Sequence, residues 1–287
     1  MRMPLCCLSS LVRLRIVSVV VDMVMPPDGQ QSQSQRPLDA LRNLKVGGDS
    51  SFVSIFNESK LQLGLRDCLA SVEELEIYRC SNIVRWPLEE LRCLPRLRSL
   101  HIRDCSKLEG KGSSPEEEEV LPLPQLERLI IGCCDSLLEI PKLPASLEEM
   151  VIRYNRSLVA LPSNLGNLAK LRNLDVCNCG GLKALPDGMD GLTSLEQLSI
   201  GGCPGIEKLP QGLLQRLPAL KYLYISRCPD LKRRCEEGGE YFDLISSIPE
   251  KVFPIWLEAR VARVRRSPSA GEGSNVCVPH LGFTPFY

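Results

Sequence analysis

The chain has 287 residues, of which 44% are hydrophobic and 24% charged, and its 35 basic residues balance 35 acidic ones. A net charge of zero gives no general attraction toward nucleic acid or membrane surfaces, so neither is expected as a partner. No stretch reaches the roughly 20 apolar residues that a membrane span needs.

One nine-residue pattern, L-x-x-L-x-[IV]-x-x-C, recurs along the chain. Degenerate copies begin at Leu11 and Leu41, and seven clear copies follow at steps of 25, 29, 21, 24, 24 and 25 residues. The clear copies begin at Val72, Leu97, Leu126, Leu147, Leu171, Leu195 and Leu220. Self-similarity with this spelling and period is the leucine-rich-repeat signature. The sequence predicts an α/β leucine-rich-repeat solenoid, a curved horseshoe with a parallel β-sheet on its concave face and irregular or 3₁₀ segments on its convex side.

The predicted solenoid spans residues 1–256, with clear repeats from 72 to 235, a cap at 236–256 and a disordered tail at 257–287. Met1–Met25 also resembles a weak signal peptide, although charged residues interrupt its apolar run, and secretion is the less favoured alternative. Glu116–Glu119 is predicted to lie in a solvated loop, with docking to a basic partner as the alternative. The cap is expected to cover the last strand with Tyr241, Phe242, Ile245, Ile248, Phe253 and Trp256.

Within each copy, strand alternation turns the fourth and sixth residues toward the core and the third, fifth and seventh outward. The ninth residue turns inward again, and these positions are predicted to form a buried structural ladder. The ladder residues are Cys80, Cys105, Cys134, Asn155, Cys179, Cys203 and Cys228. Cys177 and Cys179 are expected to point apart, so separate reduced thiols are predicted rather than a metal site.

The outward strand positions are predicted to form the partner-binding concave face, because they have no core role. Tyrosine and arginine, which are typical anchors of protein interfaces, are frequent there. Solvated strand residues without a binding role are the alternative for each position. The candidate residues are Tyr78, Arg79, His101, Arg103, Arg128, Ile130, Val151, Arg153, Tyr154, Asp175, Tyr222, Tyr224 and Arg227.

Catalytic motifs are absent from the sequence. There is no G-x-x-x-x-G-K-[ST] loop, no G-x-S-x-G elbow and no H-E-x-x-H, and the two histidines, His101 and His280, lie far apart in the chain. The sequence therefore predicts no enzyme, cofactor, catalytic residue, metal or small-molecule substrate.

The full pattern, L-x-x-L-x-[IV]-x-x-C-x-x-L-x-x-L-P with irregular steps, resembles the C-terminal leucine-rich-repeat region of plant nucleotide-binding leucine-rich-repeat disease-resistance proteins of the coiled-coil class. The ending Cys228-Pro229-Asp230-Leu231, with Gly238-Gly239-Glu240 and Ile248-Pro249, is similar to the close of those receptors. The resemblance covers about residues 8–256. A coiled coil and a nucleotide-binding module would precede the repeats in that family, so a receptor fragment or truncated product is expected.

The resemblance implies a recognition module of innate immunity and plant defence in the cytoplasm, with the nucleus as an additional location. Its partner would be a protein: a pathogen effector, a guarded host protein or the nucleotide-binding module of a receptor. A leucine-rich-repeat signalling scaffold and a ubiquitin-ligase substrate receptor are the alternatives. The basic cluster at Arg260, Arg263, Arg265 and Arg266 is a candidate nuclear-localisation signal.

Overall fold

The computed structural model describes residues 10–17, 40–56, 69–110 and 120–253, together with the backbone of the strands Arg2–Pro4 and Asp22–Val24. Met1–Pro254 forms one compact unit, and Ile255–Tyr287 is a separate unit that lies outside the described residues. The predicted tail, the acidic segment Glu116–Glu119 and Trp256 of the predicted cap therefore also lie outside the described residues.

In the described part of the chain, ten strands form one parallel sheet, and their order in the sheet follows the sequence. These strands are β2 (Arg13–Val17), β4 (Asn43–Gly47), β5 (Glu74–Tyr78), β6 (Ser99–Arg103), β7 (Arg128–Gly132), β8 (Glu149–Arg153), β9 (Asn173–Cys177), β10 (Gln197–Gly201), β11 (Tyr222–Ser226) and β12 (Glu250–Val252). The short strands β1 (Arg2–Pro4) and β3 (Asp22–Val24) pair with each other in a second parallel sheet. One strand per repeat in a single parallel sheet confirms the leucine-rich-repeat solenoid.

Equivalent residues of successive repeats stand side by side because the strands pair in register. Leu75 pairs with Leu100, and Leu100 with Leu129. The second and fourth residues of each strand from β5 to β11 are at most 1% exposed. Burying one such Leu or Ile stabilises the fold by about 1.5–3 kcal/mol. The apolar positions of the repeat therefore join into one continuous core.

Short helical turns connect the strands on the side away from the sheet. They are α1 (Asp49–Phe56), α2 (Leu88–Leu91), α3 (Gln211–Leu214), α4 (Pro229–Cys235), α5 (Phe242–Ile245) and the 3₁₀ turns η1 (Leu165–Asn167), η2 (Met189–Gly191) and η3 (Leu217–Ala219). Neighbouring turns pack closely: a Cβ on Gly166 would lie 2.1 Å from the carbonyl oxygen of Gly188. This backbone contact explains why the stacked turns carry glycine, and η1 and η2 have the 3₁₀ character expected of the convex side.

The C-terminal cap contributes a strand as well as covering residues. β12 pairs in parallel with β11, which adds a strand that the repeat pattern does not indicate. Tyr241 is 1% exposed and its hydroxyl oxygen accepts a hydrogen bond from the backbone N–H of Leu209 at 3.3 Å. Phe242, expected to cover the last strand, is instead 42% exposed. Tyr241 and Ile245, four residues apart, lie on the inward side of the turn that α5 makes, and Phe242, one residue after Tyr241, is rotated away from that side.

Candidate functional site

The outer face of the sheet consists of the first, third and fifth residues of β2 and β4–β11. In-register pairing arranges them in three columns, with neighbours one strand spacing, about 4.8 Å, apart. The middle column reads Arg15, Lys45, Glu76, His101, Ile130, Val151, Asp175, Ser199 and Tyr224. The fifth-residue column reads Val17, Gly47, Tyr78, Arg103, Gly132, Arg153, Cys177, Gly201 and Ser226. A partner that spans several repeats would contact side chains from every strand.

The residue after each strand adopts a left-handed backbone conformation, which forms a rim along the outer face. Its φ lies between 51° and 59° at the six non-glycine positions. The rim residues are Gly48, Arg79, Asp104, Cys133, Tyr154, Asn178, Gly202 and Arg227. From Gly48 to Gly202, each rim N–H donates to a carbonyl of the next repeat, as from Arg79 to Arg103 at 3.1 Å and from Tyr154 to Cys177 at 2.9 Å. These bonds hold a backbone conformation that most side chains disfavour.

Ion pairs join neighbouring strands across the outer face. Arg103 contacts Glu76 at 2.6 Å, Arg128 contacts Glu149 at 2.6 Å, and Arg153 contacts Asp175 at 2.5 Å. Lys45 also reaches Glu76, at 2.7 Å. Burial alone would raise the pKa of Glu76, but hydrogen bonds from Lys45 and Arg103 lower it below its ordinary value. Glu76 therefore stays ionised and holds two cations against the sheet.

Tyr78 lies beneath arginines at the N-terminal end of the outer face. Its ring crosses Gly47, where a Cβ would come within 2.5 Å of the ring carbon Cζ. The Nε of Arg15 donates to its hydroxyl at 3.2 Å, and the guanidinium of Arg103 lies 5.1 Å from the ring centroid. Tyr78 is consequently only 4% exposed. The expectation that it presents a free anchor is wrong for this reason, although it does lie on the predicted face.

His101 occupies the middle column between Glu76 and Ile130. Its Nε2 lies 3.1 Å from the hydroxyl of Ser99 on the same strand. Burial lowers the pKa of His101 below its ordinary value of 6.5, with opposing contributions from neighbouring carboxylates. The imidazole is therefore mainly neutral at pH 7 and acts as a hydrogen-bonding surface residue.

At the opposite end of the outer face the outward residues of β10 are uncharged, and Glu250 on β12 is the paired neighbour of Tyr222. Tyr222 and Tyr224 on β11 are half-buried, and β10 beside them presents Gln197, Ser199 and Gly201. Burial raises the pKa of Tyr222, which keeps its hydroxyl protonated. Tyr224 pairs with Ser199 on β10 and with Val252 on β12, so its ring has no charged partner on either adjacent strand.

The ladder residues lie on the core side of the rim and are all fully buried. The thiol of Cys80 lies 3.4 Å from the carbonyl oxygen of Tyr78, and equivalent contacts recur down the ladder. Asn155 bonds more extensively: its amide donates to Arg153 and Ile131, and its carbonyl accepts from the N–H of Cys134. Burial raises the pKa of Cys228 to about 11. These side chains saturate backbone groups that the turn leaves unpaired.

Cys177 and Cys179 lie on opposite sides of the strand end. Cys177 belongs to the fifth-residue column and is half-buried, whereas Cys179 is fully buried in the ladder. The ten cysteines among the described residues carry no disulfide. The described residues also contain no group of three or more His, Cys, Asp or Glu side chains placed to hold a metal ion.

The structure places the candidate residues in two groups. Arg79, Tyr154 and Arg227 lie on the left-handed rim, and the others lie in the three columns. Sequence reasoning missed Arg15, Lys45 and Glu76, which complete the ion-pair network around Tyr78. Reading the third strand residue of every repeat as a column would have found them. It would not have found the pairing, because that depends on side-chain conformations across strands.

Comparisons with known proteins were made with the whole chain, which matches no family model. It is 25% identical over 166 residues to disease resistance protein RPP2A of Arabidopsis thaliana, covering 57% of this chain and 12% of that protein. It is 44% identical over 59 residues to disease resistance protein RPP4 of the same plant, covering 20% of this chain and 5% of that protein.

Among solved structures, the leucine-rich repeat domain of the type III effector XCV3220 (XopL) aligns with a TM-score of 0.40 and 22% identity, covering 77% of each chain. No helix among the described residues is long and apolar enough to cross a membrane. The ten parallel strands make the described part of the chain a leucine-rich-repeat solenoid. Its sequence is similar to parts of plant disease resistance proteins, and it spans only a small share of the relatives it matches.

Proposed function

We propose that this chain is the protein-recognition module of an intracellular plant immune receptor, and that it binds a pathogen effector or a guarded host protein through the outer face of its sheet. The observation that carries the proposal is the in-register alignment of outward side chains across successive strands. These positions have no core role, so the repeat leaves them available for contact with a partner.

The similarity to RPP2A and RPP4 supports the assignment to immunity. Because the chain covers 12% and 5% of those proteins, the receptor class, its coiled-coil type and its nucleotide-binding module as a further partner are parts of the proposal. Binding rather than catalysis fits a face built from ion pairs, aliphatic side chains and tyrosines. The cytoplasm is the proposed location, with the nucleus as an additional one.

We place the strongest contacts at the open C-terminal end and the centre of the outer face. Tyr222 and Tyr224 are aromatic side chains, Tyr224 has the uncharged partners Ser199 and Val252, and rigid aromatic rings dominate many interfaces. Tyr154 is 40% exposed on the rim and can extend the contact beyond the strands. Tyr78 is excluded as an anchor, since a partner would first have to displace two arginines.

The test is a binding comparison between two single substitutions, using a partner copurified with the full chain from infected plant tissue. Tyr224→Ala should raise the dissociation constant about 30-fold, which corresponds to ~2 kcal/mol of lost binding free energy. Lys183→Ala, at an exposed position outside the outer face, is the matched control and should change it by less than about 2-fold. Loss of binding in Lys183→Ala but not in Tyr224→Ala would refute the assignment to this face.

A further inference from the structure

The centre of the outer face has an aliphatic floor with a depression beside it. Ile130 and Val151 are paired neighbours on β7 and β8, and both are half-buried. Gly132, two residues after Ile130, leaves the adjacent fifth-residue column without a side chain. A Cβ there would meet only the carbonyl oxygen of Arg153, at 3.6 Å. By contrast, a Cβ on Gly201 in the same column would lie 3.0 Å from Ser226 and 3.2 Å from Cys177. Of these two glycines, only Gly132 therefore has open space above it.

Three arginines surround this depression and are the exposed members of their ion pairs. The side chains of Arg103, Arg128 and Arg153 are 46–54% exposed, whereas their partners Glu76, Glu149 and Asp175 are 12–27% exposed. A balanced set of charges therefore presents mainly guanidinium groups to an approaching molecule. Lys45 shares Glu76 with Arg103, and Arg103 also lies 3.9 Å from Asp104 on the rim, so the charges of this region balance and its positive character comes from the greater exposure of the guanidinium groups.

The two arginines that flank Gly132 turn away from it. Arg103 reaches toward β5, where it contacts Glu76 and lies over the ring of Tyr78. Arg153 reaches the other way, to Asp175 on β9. Their side chains therefore diverge from β7 and leave Gly132 and Ile130 uncovered. We call Ile130, Gly132 and Val151, with Arg103, Arg128 and Arg153, the central patch.

We propose, building on the outer-face function above, that the central patch binds a protein segment in which an apolar side chain is flanked by carboxylates. The apolar side chain fills the space at Gly132 and covers Ile130 and Val151. The flanking carboxylates reach the exposed arginines, and each guanidinium has five N–H donors, more than its present carboxylate partner accepts. Charge complementarity thus selects an acidic segment over a basic one.

An aliphatic floor also favours a protein segment over a single-stranded nucleic acid. Bases bind to such grooves by stacking on aromatic rings. The floor of the central patch consists of Ile130, Val151 and backbone at Gly132. The exposed arginines of the central patch would by themselves attract phosphates, so the experiment has to distinguish nucleic-acid binding from peptide binding.

The experiment is a selection of displayed random 12-residue peptides on the full chain at about 20 mM salt, followed by fluorescence anisotropy of the enriched peptides. We expect a consensus with an aliphatic or aromatic residue between carboxylates. Gly132→Val fills the depression with little strain and should weaken binding at least 10-fold. Arg153→Gln should weaken it about 5-fold. Arg172→Gln removes a 56%-exposed, ion-paired arginine outside the patch and should change it less than 2-fold.

Thermal unfolding of each variant separates loss of fold from loss of binding. If Arg153→Gln fails to fold, the binding result for Gly132→Val decides the proposal. The proposal is overturned if no peptide is enriched, if the consensus lacks carboxylates, or if Gly132→Val binds like the wild type. It is also overturned if a 12-nucleotide single-stranded RNA binds and loses affinity in the same variants. In each of these cases the Tyr224→Ala measurement on the copurified partner still decides the outer-face function independently.

Discussion

The two ends of the outer face carry tyrosines on the same side of the sheet in different environments. Tyr78, near the N-terminal end, is 4% exposed, whereas Tyr222 and Tyr224 on β11 are half-buried. Gly47 gives the ring of Tyr78 room to lie flat, and Arg15 and Arg103 cover it. Strand alternation thus decides which face a side chain lies on, and its neighbours on adjacent strands decide whether a partner can reach it.

Charge separates the two ends as well. Around β4–β6 the outward residues join in ion pairs that include Lys45, Glu76 and Arg103. On β10 the outward residues are Gln197, Ser199 and Gly201, which carry no charge. Covering charged groups costs free energy unless new partners replace the water. The surface of Tyr224 and β10 is therefore easier to desolvate than the ion-paired surface around Glu76.

The largest expected effect is on stability at the open end. Leu223→Ala removes a fully buried side chain from β11 and should lower the free energy of unfolding by ~2–5 kcal/mol. Tyr224→Ala, one residue away on the opposite face, should lower it by less than about 1 kcal/mol. Urea unfolding of both variants measures the difference. Equal losses would mean that Tyr224 has a core role and that the open end is not free for binding.

The second expected effect contrasts the tyrosines themselves. Tyr78→Ala should cost ~2–3 kcal/mol of unfolding free energy, since it removes a buried ring and two cation–π contacts. The cost stays below that of a core aromatic residue because water can enter from the outer face. Tyr224→Ala is the control in the same urea titration. A loss for Tyr78→Ala as small as the control's would contradict the covered environment of Tyr78.

A smaller effect should follow from filling the space under Tyr78. Gly47→Ala places a Cβ within 2.5–2.8 Å of ring atoms, so the ring must move outward. We expect a loss of about 1 kcal/mol in unfolding free energy. Nitration by tetranitromethane, read by peptide mass spectrometry, should modify Tyr78 slowly in the wild type and several-fold faster in Gly47→Ala. Tyr154, which is 40% exposed, serves as the internal standard. An unchanged rate at Tyr78 would refute the packing described for this end.

The smallest expected effect is chemical and leaves stability unchanged. Under native conditions an uncharged thiol reagent should label Cys177 on the outer face at least ~10-fold faster than the ladder residue Cys179. The rate at Cys177 should itself be slow near neutral pH, since burial and then Asp175 raise the pKa of its thiol. Labelling at pH 9 should therefore be faster than at pH 7. Similar rates for the two cysteines would show that the register of β9 is wrong.

Much of the fold could be predicted from the sequence because the same pattern occurs in many successive repeats. Seven copies of one pattern predicted the strands, the inward positions and the irregular or 3₁₀ segments of the convex side. The cap was harder to predict. Nothing in Glu250–Val252 marks a strand, and it pairs only because β11 presents an open edge beside it. Phe242 was expected to cover that end and is exposed, because a one-turn helix can direct only part of its residues inward.

The candidate site was predictable as a surface and less so as a set of side chains. The sequence placed His101, Ile130 and Tyr224 in one column, and the in-register strands align them as expected. It gave no sign that Arg103 and Arg153 diverge around Gly132, since that follows from the carboxylates available on β5 and β9. The left-handed rim was also hidden, because residues as different as Arg79 and Cys133 occupy it.

The sequence by itself determined the repeat, the side of the sheet on which each strand residue lies, and the inward position of the ladder. These follow from periodicity, which is a local property of a chain with alternating side chains. Tertiary structure alone decided accessibility: Tyr78 is covered, the space at Gly132 is open, and guanidinium groups lie above carboxylates. The physical reason is that exposure depends on side chains from strands 20–30 residues away, whose conformations are set by packing and ion pairing only after the strands have assembled.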